Sequence, residues 1–129
     1  MLKKSLIVVA AVALVVVVSA VAQQANFKRT PLQTVDFPAG LQRRERHVEI
    51  APDTCVGRHT HPGVESGYVM EGAIVLKIEG TADQTLKAGE SFQVPPYAPH
   101  YGCTAPGQAV KMLVNSIIEK GKPWASPAP

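Results

Sequence analysis

Residues 59–72 read HTHPGVESGYVMEG, with His59 and His61 one residue apart, Glu65 four positions further on and Gly72 closing the run. In an extended strand, side chains two apart share a face, so the two imidazoles point to one side and Thr60 to the other. Pro62-Gly63 favours a turn, which returns Glu65 towards the pair from the next strand. Two nitrogens and one hard oxygen suit Fe(II), Mn(II), Zn(II) or Ni(II). A histidine pair with this spacing is weak on its own, because exposed strand histidines are common. His100 strengthens it: this residue follows PPYAP and opens another extended run, and a sheet closed on itself can bring distant strands to one site.

Outward from this stretch, the chain is punctuated at short intervals. Arg43–Ile50, Thr54–His61, Tyr68–Met70, Ala73–Ile78, Thr85–Leu86, Ser91–Val94, His100–Thr104 and Ala109–Ile118 read as extended runs, each ended by Gly or Pro turns. Short β-branched runs with turn signals every 8–12 residues or so predict an all-β sandwich or barrel. The 11 prolines leave little room for helices. Tyr68, Met70, Phe92, Val94 and Met112 are expected in the core. Residues 23–40 form a lead-in segment in which Pro31 and Pro38 argue against a regular element. Residues 119–129 form a Pro-rich tail that cannot continue a central strand, with Trp124 expected to cover one end of the barrel, or a neighbour's surface, rather than bind a ligand.

The N-terminus has a different character. MLKKS carries two lysines, an unbroken apolar run follows from Leu6 to Val18, and Ala20 and Ala22 sit in a small-residue cleavage pattern before Gln23. These are the parts of a secretory signal, so residues 1–22 are expected to be cut away after Ala22 and the protein to be periplasmic or secreted. Membrane contact would arise only from an uncleaved leader, whose span of 17 residues from Leu6 to Ala22 is at the lower limit for crossing a bilayer, about 17–25 residues.

Charge excludes one function class. The full chain has a formal charge of +3, and without Lys3 and Lys4 it falls to +1, with 11 basic and 10 acidic residues. No Lys/Arg cluster is interleaved with aromatics, and the densest basic stretch, RRER at 43–46, is broken by a glutamate. It reads as a solvated strand face. Nucleic acid is not an expected partner.

The two histidine stretches together resemble the cupins. The first cupin motif, G-x5-H-x-H-x3-4-E-x6-G, is matched by His59, His61, Glu65 and Gly72, and the second, G-x5-P-x-G-x2-H-x3-N, by Gly89, Pro95 and His100. Asp53 and Tyr97 stand where the motifs have glycine, and Thr104 where the second has asparagine. The resemblance covers about residues 41–118 and implies a double-stranded β-helix, a jelly-roll barrel. It also implies one divalent metal ion (Fe, Mn, Zn or Ni) held by His59, His61, Glu65 and His100, and a homodimer. The activity it implies is that of a small dioxygenase-like enzyme acting on a small organic molecule, with isomerases and decarboxylases using similar sites and Glu65 available as a base. A non-catalytic metal-dependent binding or sensing protein of the bacterial envelope is the alternative, and a metal-stabilised structural domain is a third. Gln93, Tyr97 and Tyr101 flank the second motif as candidate substrate contacts, with His47 and Arg58 as similar candidates.

Cys55 and Cys103 are the only cysteines. An even count in an exported chain suggests a disulfide. Strand parity objects, since Cys55 shares the face of His59 while Cys103 lies opposite His100. A bulge, which Gly57 is placed to supply, would reconcile the two. Otherwise Cys55 is a small inward residue near the site.

Overall fold

A computed structural model describes residues 25–129; the expected leader at 1–22 lies outside the described residues. Ten strands build two antiparallel sheets. β1 (Phe27–Phe37), β2 (Leu41–Ile50), β9 (Val110–Glu119), β4 (Gly63–Glu71) and β7 (Ser91–Val94) form the first sheet in that order. The second runs β10 (Ser126–Pro127), β3 (His59–Thr60), β8 (His100–Thr104), β5 (Ala73–Ile78) and β6 (Gln84–Lys87). The two sheets make the all-β fold that the spacing of turns predicts, and they are consistent with the jelly roll that the cupin resemblance implies. Strict alternation builds it. In β9, Val110, Met112, Val114, Ser116 and Ile118 are buried while the residues between them are not. Of these, Val110, Met112 and Val114 meet Val48 and Ile50 of β2, Ile74, Leu76 and Ile78 of β5, and Val69 and Val94 in one core.

The lead-in segment departs from expectation, because residues 27–37 pair along almost the whole of β2. Prolines exclude a central strand because they cannot donate to the ladder, but an edge strand tolerates them. β1 is an edge strand, and Pro31 sits where its register shifts by a residue. Pro38 lies in a one-turn 3₁₀ connection, Pro38–Gly40, and ends the strand. The tail is also an edge, since β10 pairs only with β3.

Tyr68 and Met70 are not core residues; they are about half exposed, at 48% and 49%. β4 begins at Gly63, and its parity is set by Glu65, which is buried. Gly67 and Val69 therefore face inward, and the residues between face out. Phe92, Val94 and Met112 do pack in or against the core.

The motif positions that lack glycine keep its backbone. Asp53 and Tyr97 have φ of 54° and 58°, a conformation that costs an ordinary residue about 1–2 kcal/mol. Local bonds offset this. The Asp53 Oδ1 accepts the Gly107 N–H at 3.0 Å, and the Tyr97 N–H donates to the His61 carbonyl at 2.9 Å. Gly72 has no such freedom of replacement: its φ is 78°, and a Cβ would lie 1.9 Å from the Ala109 carbonyl oxygen.

Candidate metal centre

β3 places His59 directly opposite His100, the first residue of β8. Just past β3, His61 turns into the barrel with 1% exposure. Glu65 arrives from β4, where it lies opposite Ser116 of β9. The possible ligand atoms of the three histidines all lie within 4.8 Å of one another. Glu65 Oε2 is 3.0 Å from His61 Nε2, and Oε1 is 3.8 Å from His100 Nε2. The four residues singled out from the sequence thus meet at one point between the two sheets.

The hydrogen bonds of the rings decide what they offer. His59 Nδ1 contacts the Gly57 carbonyl at 2.7 Å, His61 Nδ1 the Trp124 carbonyl at 2.7 Å, and His100 Nδ1 the Ala98 carbonyl at 2.9 Å. A carbonyl oxygen only accepts, so each Nδ1 carries its hydrogen and donates. In a neutral ring the lone pair is then on Nε2. The Nε2 atoms of His61 and His100 are buried and have no hydrogen-bond partner. Burial holds the His59 ring neutral: its pKa is pushed down to about 4, against the Gly57 bond and with the help of the neighbouring histidines. Burial alone would raise the Glu65 carboxyl, and hydrogen bonds from His100 and His61 bring it down to about 2 only where those rings carry a hydrogen on Nε2. An anionic oxygen 3.0 Å from an imidazole lone pair is acceptor against acceptor, an arrangement that a cation between them resolves. The chemistry of this donor set therefore fits a divalent metal ion.

The tail completes the site. The Trp124 carbonyl fixes the His61 ring, and its indole N–H donates to Ser116 Oγ at 3.0 Å. The Ser116 hydroxyl in turn points to Glu65 Oε2 at 3.4 Å. One residue of the tail therefore reaches two of the four donors. Trp124 is more than a cap, which its place among prolines did not disclose.

Below the donors lies a cavity of about 50 Å³ with an apolar floor that includes Ile50, Leu76, Phe92 and Met112; Arg29 and Trp124 stand beside His59, Glu65 and His100 at its polar end. Gln93, Tyr97 and Tyr101, the expected substrate contacts, do not line it. Gln93 is on the outward face of β7, beside Ser66 and Asn115. Tyr97 is 53% exposed, with its hydroxyl bonded to Glu119 and Lys122. Tyr101 faces outward over Lys77. Adjacency to His100 in sequence did not translate into adjacency to its Nε2, because neighbours along a strand or turn point away from one another. His47 and Arg58 are likewise outside, paired with Glu49 and Glu79.

The stretch at 43–46 also needs correction. Arg44 and Arg46 have the same parity as Val48 and Ile50 and so belong to the inner face, while Arg43 and Glu45 are paired on the outer one. That parity was legible in RRERHVEI. Arg29 was hidden because its segment was not expected to be a strand.

Cys55 and Cys103 form a disulfide. They pair as an isolated bridge, and between them and the His59–His100 pair the register shifts by one residue. The parity objection is answered by this bulge, which contains Gly57.

A family model described as a cupin domain matches residues 46–115, a span that contains all four donors. Among solved structures, a DMSP lyase from Ruegeria pomeroyi matches with a TM-score of 0.68 at 18% identity, covering 80% of this chain and 52% of that one. An oxalate oxidase in complex with the substrate analogue glycolate matches with a TM-score of 0.64 at 23% identity, over 81% and 56%. A cupin-like protein from Thermotoga maritima matches at 0.67 and 20%, over 81% and 80%. At these identities the likeness is one of fold. The chain spans about half the length of the lyase and the oxidase. None of the curated proteins matches it.

Proposed function

The chain belongs to the cupin domain family, and on that premise we propose that it is a metal-dependent enzyme acting on a small organic molecule, with one divalent ion held by His59, His61, Glu65 and His100. A single observation carries this reading: three histidines tied through Nδ1 to backbone carbonyls converge on a buried carboxylate, with two Nε2 atoms left unpartnered. The donor set suits iron, manganese, zinc or nickel. A bound ion would supply Lewis acidity and, if redox-active, electron exchange with dioxygen.

The chain's own residues supply the rest. Glu65, anionic at neutral pH, is the one carboxylate at the cavity and is the group placed to take a proton from a substrate. Ser116 and Trp124 hold it in position. The apolar floor excludes water behind a bound molecule. A dioxygenase-like reaction is the specific form we favour, and the fold likeness to an oxalate oxidase supports an oxidative reading. The disulfide supports a periplasmic or secreted location, where such bonds persist.

The test is turnover. The protein loaded with Fe(II) or Mn(II) should consume oxygen or release product with one of a panel of small acids, diketones and catechols, and His100→Ala should abolish it. Binding without turnover under every metal would replace the enzyme with a sensing protein. Removal of residues 121–129 tests the tail. It should weaken metal affinity about 10- to 100-fold, the usual cost of losing the groups that orient metal ligands. Competition with a chelating dye measures it, and unchanged affinity would detach Trp124 from the site.

A further inference from the structure

Arg29 lines the metal cavity, and its guanidinium lies 4.4 Å from the centre of the Trp124 ring; that of Arg46 lies 4.0 Å from the same centre. Among the described residues, neither side chain makes a salt bridge, and Arg46 Nη1 is buried with no hydrogen-bond partner. A surface arginine needs no partner because water solvates it. Arg46 is half-buried; Arg29 is exposed on the edge strand, yet its head lines the cavity, and desolvation there lowers its pKa to about 10. Cation–π contact with Trp124, and for Arg29 also with Phe27, offsets only part of such a desolvation cost.

The acids of the chain do not make up the difference. Glu45 is engaged with Arg43, and Glu49 with Lys28 and His47, all away from the inner face. The inward-facing carboxylate, Glu65, attracts both guanidiniums but forms no ion pair with either, and its oxygens stand against His61 and His100 at the metal site. Arg44 adds a further positive charge next to Arg46. A divalent ion would add two more. The inner end of the barrel is thus short of negative charge, with Arg29 lining the cavity and Arg46 Nη1 left without a partner.

We propose that Arg29 and Arg46 form an anion subsite beside the metal cavity, which takes the carboxylate of a small organic acid. Guanidinium matches carboxylate through paired N–H···O bonds. The cavity sets the size. One water needs about 10–15 Å³, so the 50 Å³ open to the centres of water-sized groups leaves room for at least a few of them. An acid of two or three carbons fits this space. The proposal rests on the metal reading only in placing the other end of the acid against the ion.

Glycolate and its uncharged analogue glycolamide separate the two questions. Metal content is first measured on wild type and on Arg29→Gln, Arg46→Gln and the double variant. Calorimetric titration should then show glycolate binding at least about tenfold tighter than glycolamide to wild type, the value expected for a charge-assisted hydrogen bond. Each single variant should lose about tenfold in glycolate affinity, the double variant should lose the preference altogether, and metal content should stay unchanged. Arg46→Lys should recover part of the loss. Equal binding of glycolate and glycolamide to wild type, or a preference that survives in the variants, would overturn the subsite. A wild type without metal would overturn the metal reading, while the comparison of the two probes on that metal-free protein still decides the arginines. Should the double variant not fold, the single variants carry the same comparison.

Discussion

Alanine at position 61 is expected to leave the purified protein with less than about a tenth of the metal bound by the native chain, a loss beyond the 10- to 100-fold that removal of an orienting neighbour costs. His61 is the most deeply buried of the three histidines, and its ring does two things at once. Nε2 faces the shared point at 3.0 Å from Glu65, and Nδ1 anchors the tail at the Trp124 carbonyl. Elemental analysis after gel filtration measures the first. Trp124 is the only tryptophan in the chain, so its fluorescence reports the second. His61→Ala should therefore lose metal and shift the emission, whereas His100→Ala should lose metal with little change in the tail. Full metal occupancy in His61→Ala would end the assignment.

Removal of the disulfide carries the second large effect. Cys55 and Cys103 are 48 positions apart, and closing a loop of that length restricts the unfolded chain enough to stabilise the fold by about 2–4 kcal/mol. Marginal stability makes this a large share of the total, which for a domain is about 5–15 kcal/mol. The Cys55→Ala, Cys103→Ala double variant should melt on the order of 10–20 °C lower, as should the wild type in reducing agent. Local geometry predicts a further consequence. The Val56 N–H donates to the Gly102 carbonyl, and the Thr54 N–H and carbonyl meet the Thr104 hydroxyl, so the bond sits in a short clasp that leads directly into the His59–His100 pair. Metal affinity should drop along with the melting temperature. Calorimetry of the metal-free protein separates the two, and an unchanged melting point in the double variant would remove the disulfide from the stability of the fold.

Much of this was open to inspection before folding. Alternation in AIVLKI and VKMLVNSII marks β5 and β9 because each buries one face, and a period of two is the direct imprint of that burial. The donors were legible for a related reason: H-x-H on a strand must present both rings to one side. Tyr68 and Met70 were misplaced because apolar character alone does not set parity, and the inward Glu65 does. Arg44 and Arg46 were misread as solvated because charge was weighed above their register with Val48 and Ile50.

The sequence by itself determined the all-β class, the cupin resemblance and the four candidate ligands, since local spacing and strand period encode these directly. Only the tertiary structure decided which Nε2 lone pairs are free, because the carbonyls that hold the rings belong to Gly57, Ala98 and a tryptophan 63 positions away from His61. It also decided that a proline-bearing lead-in becomes an edge strand and delivers Arg29 to the cavity. Edge pairing and long-range hydrogen bonds depend on what lies alongside in space, and no periodicity along the chain records it.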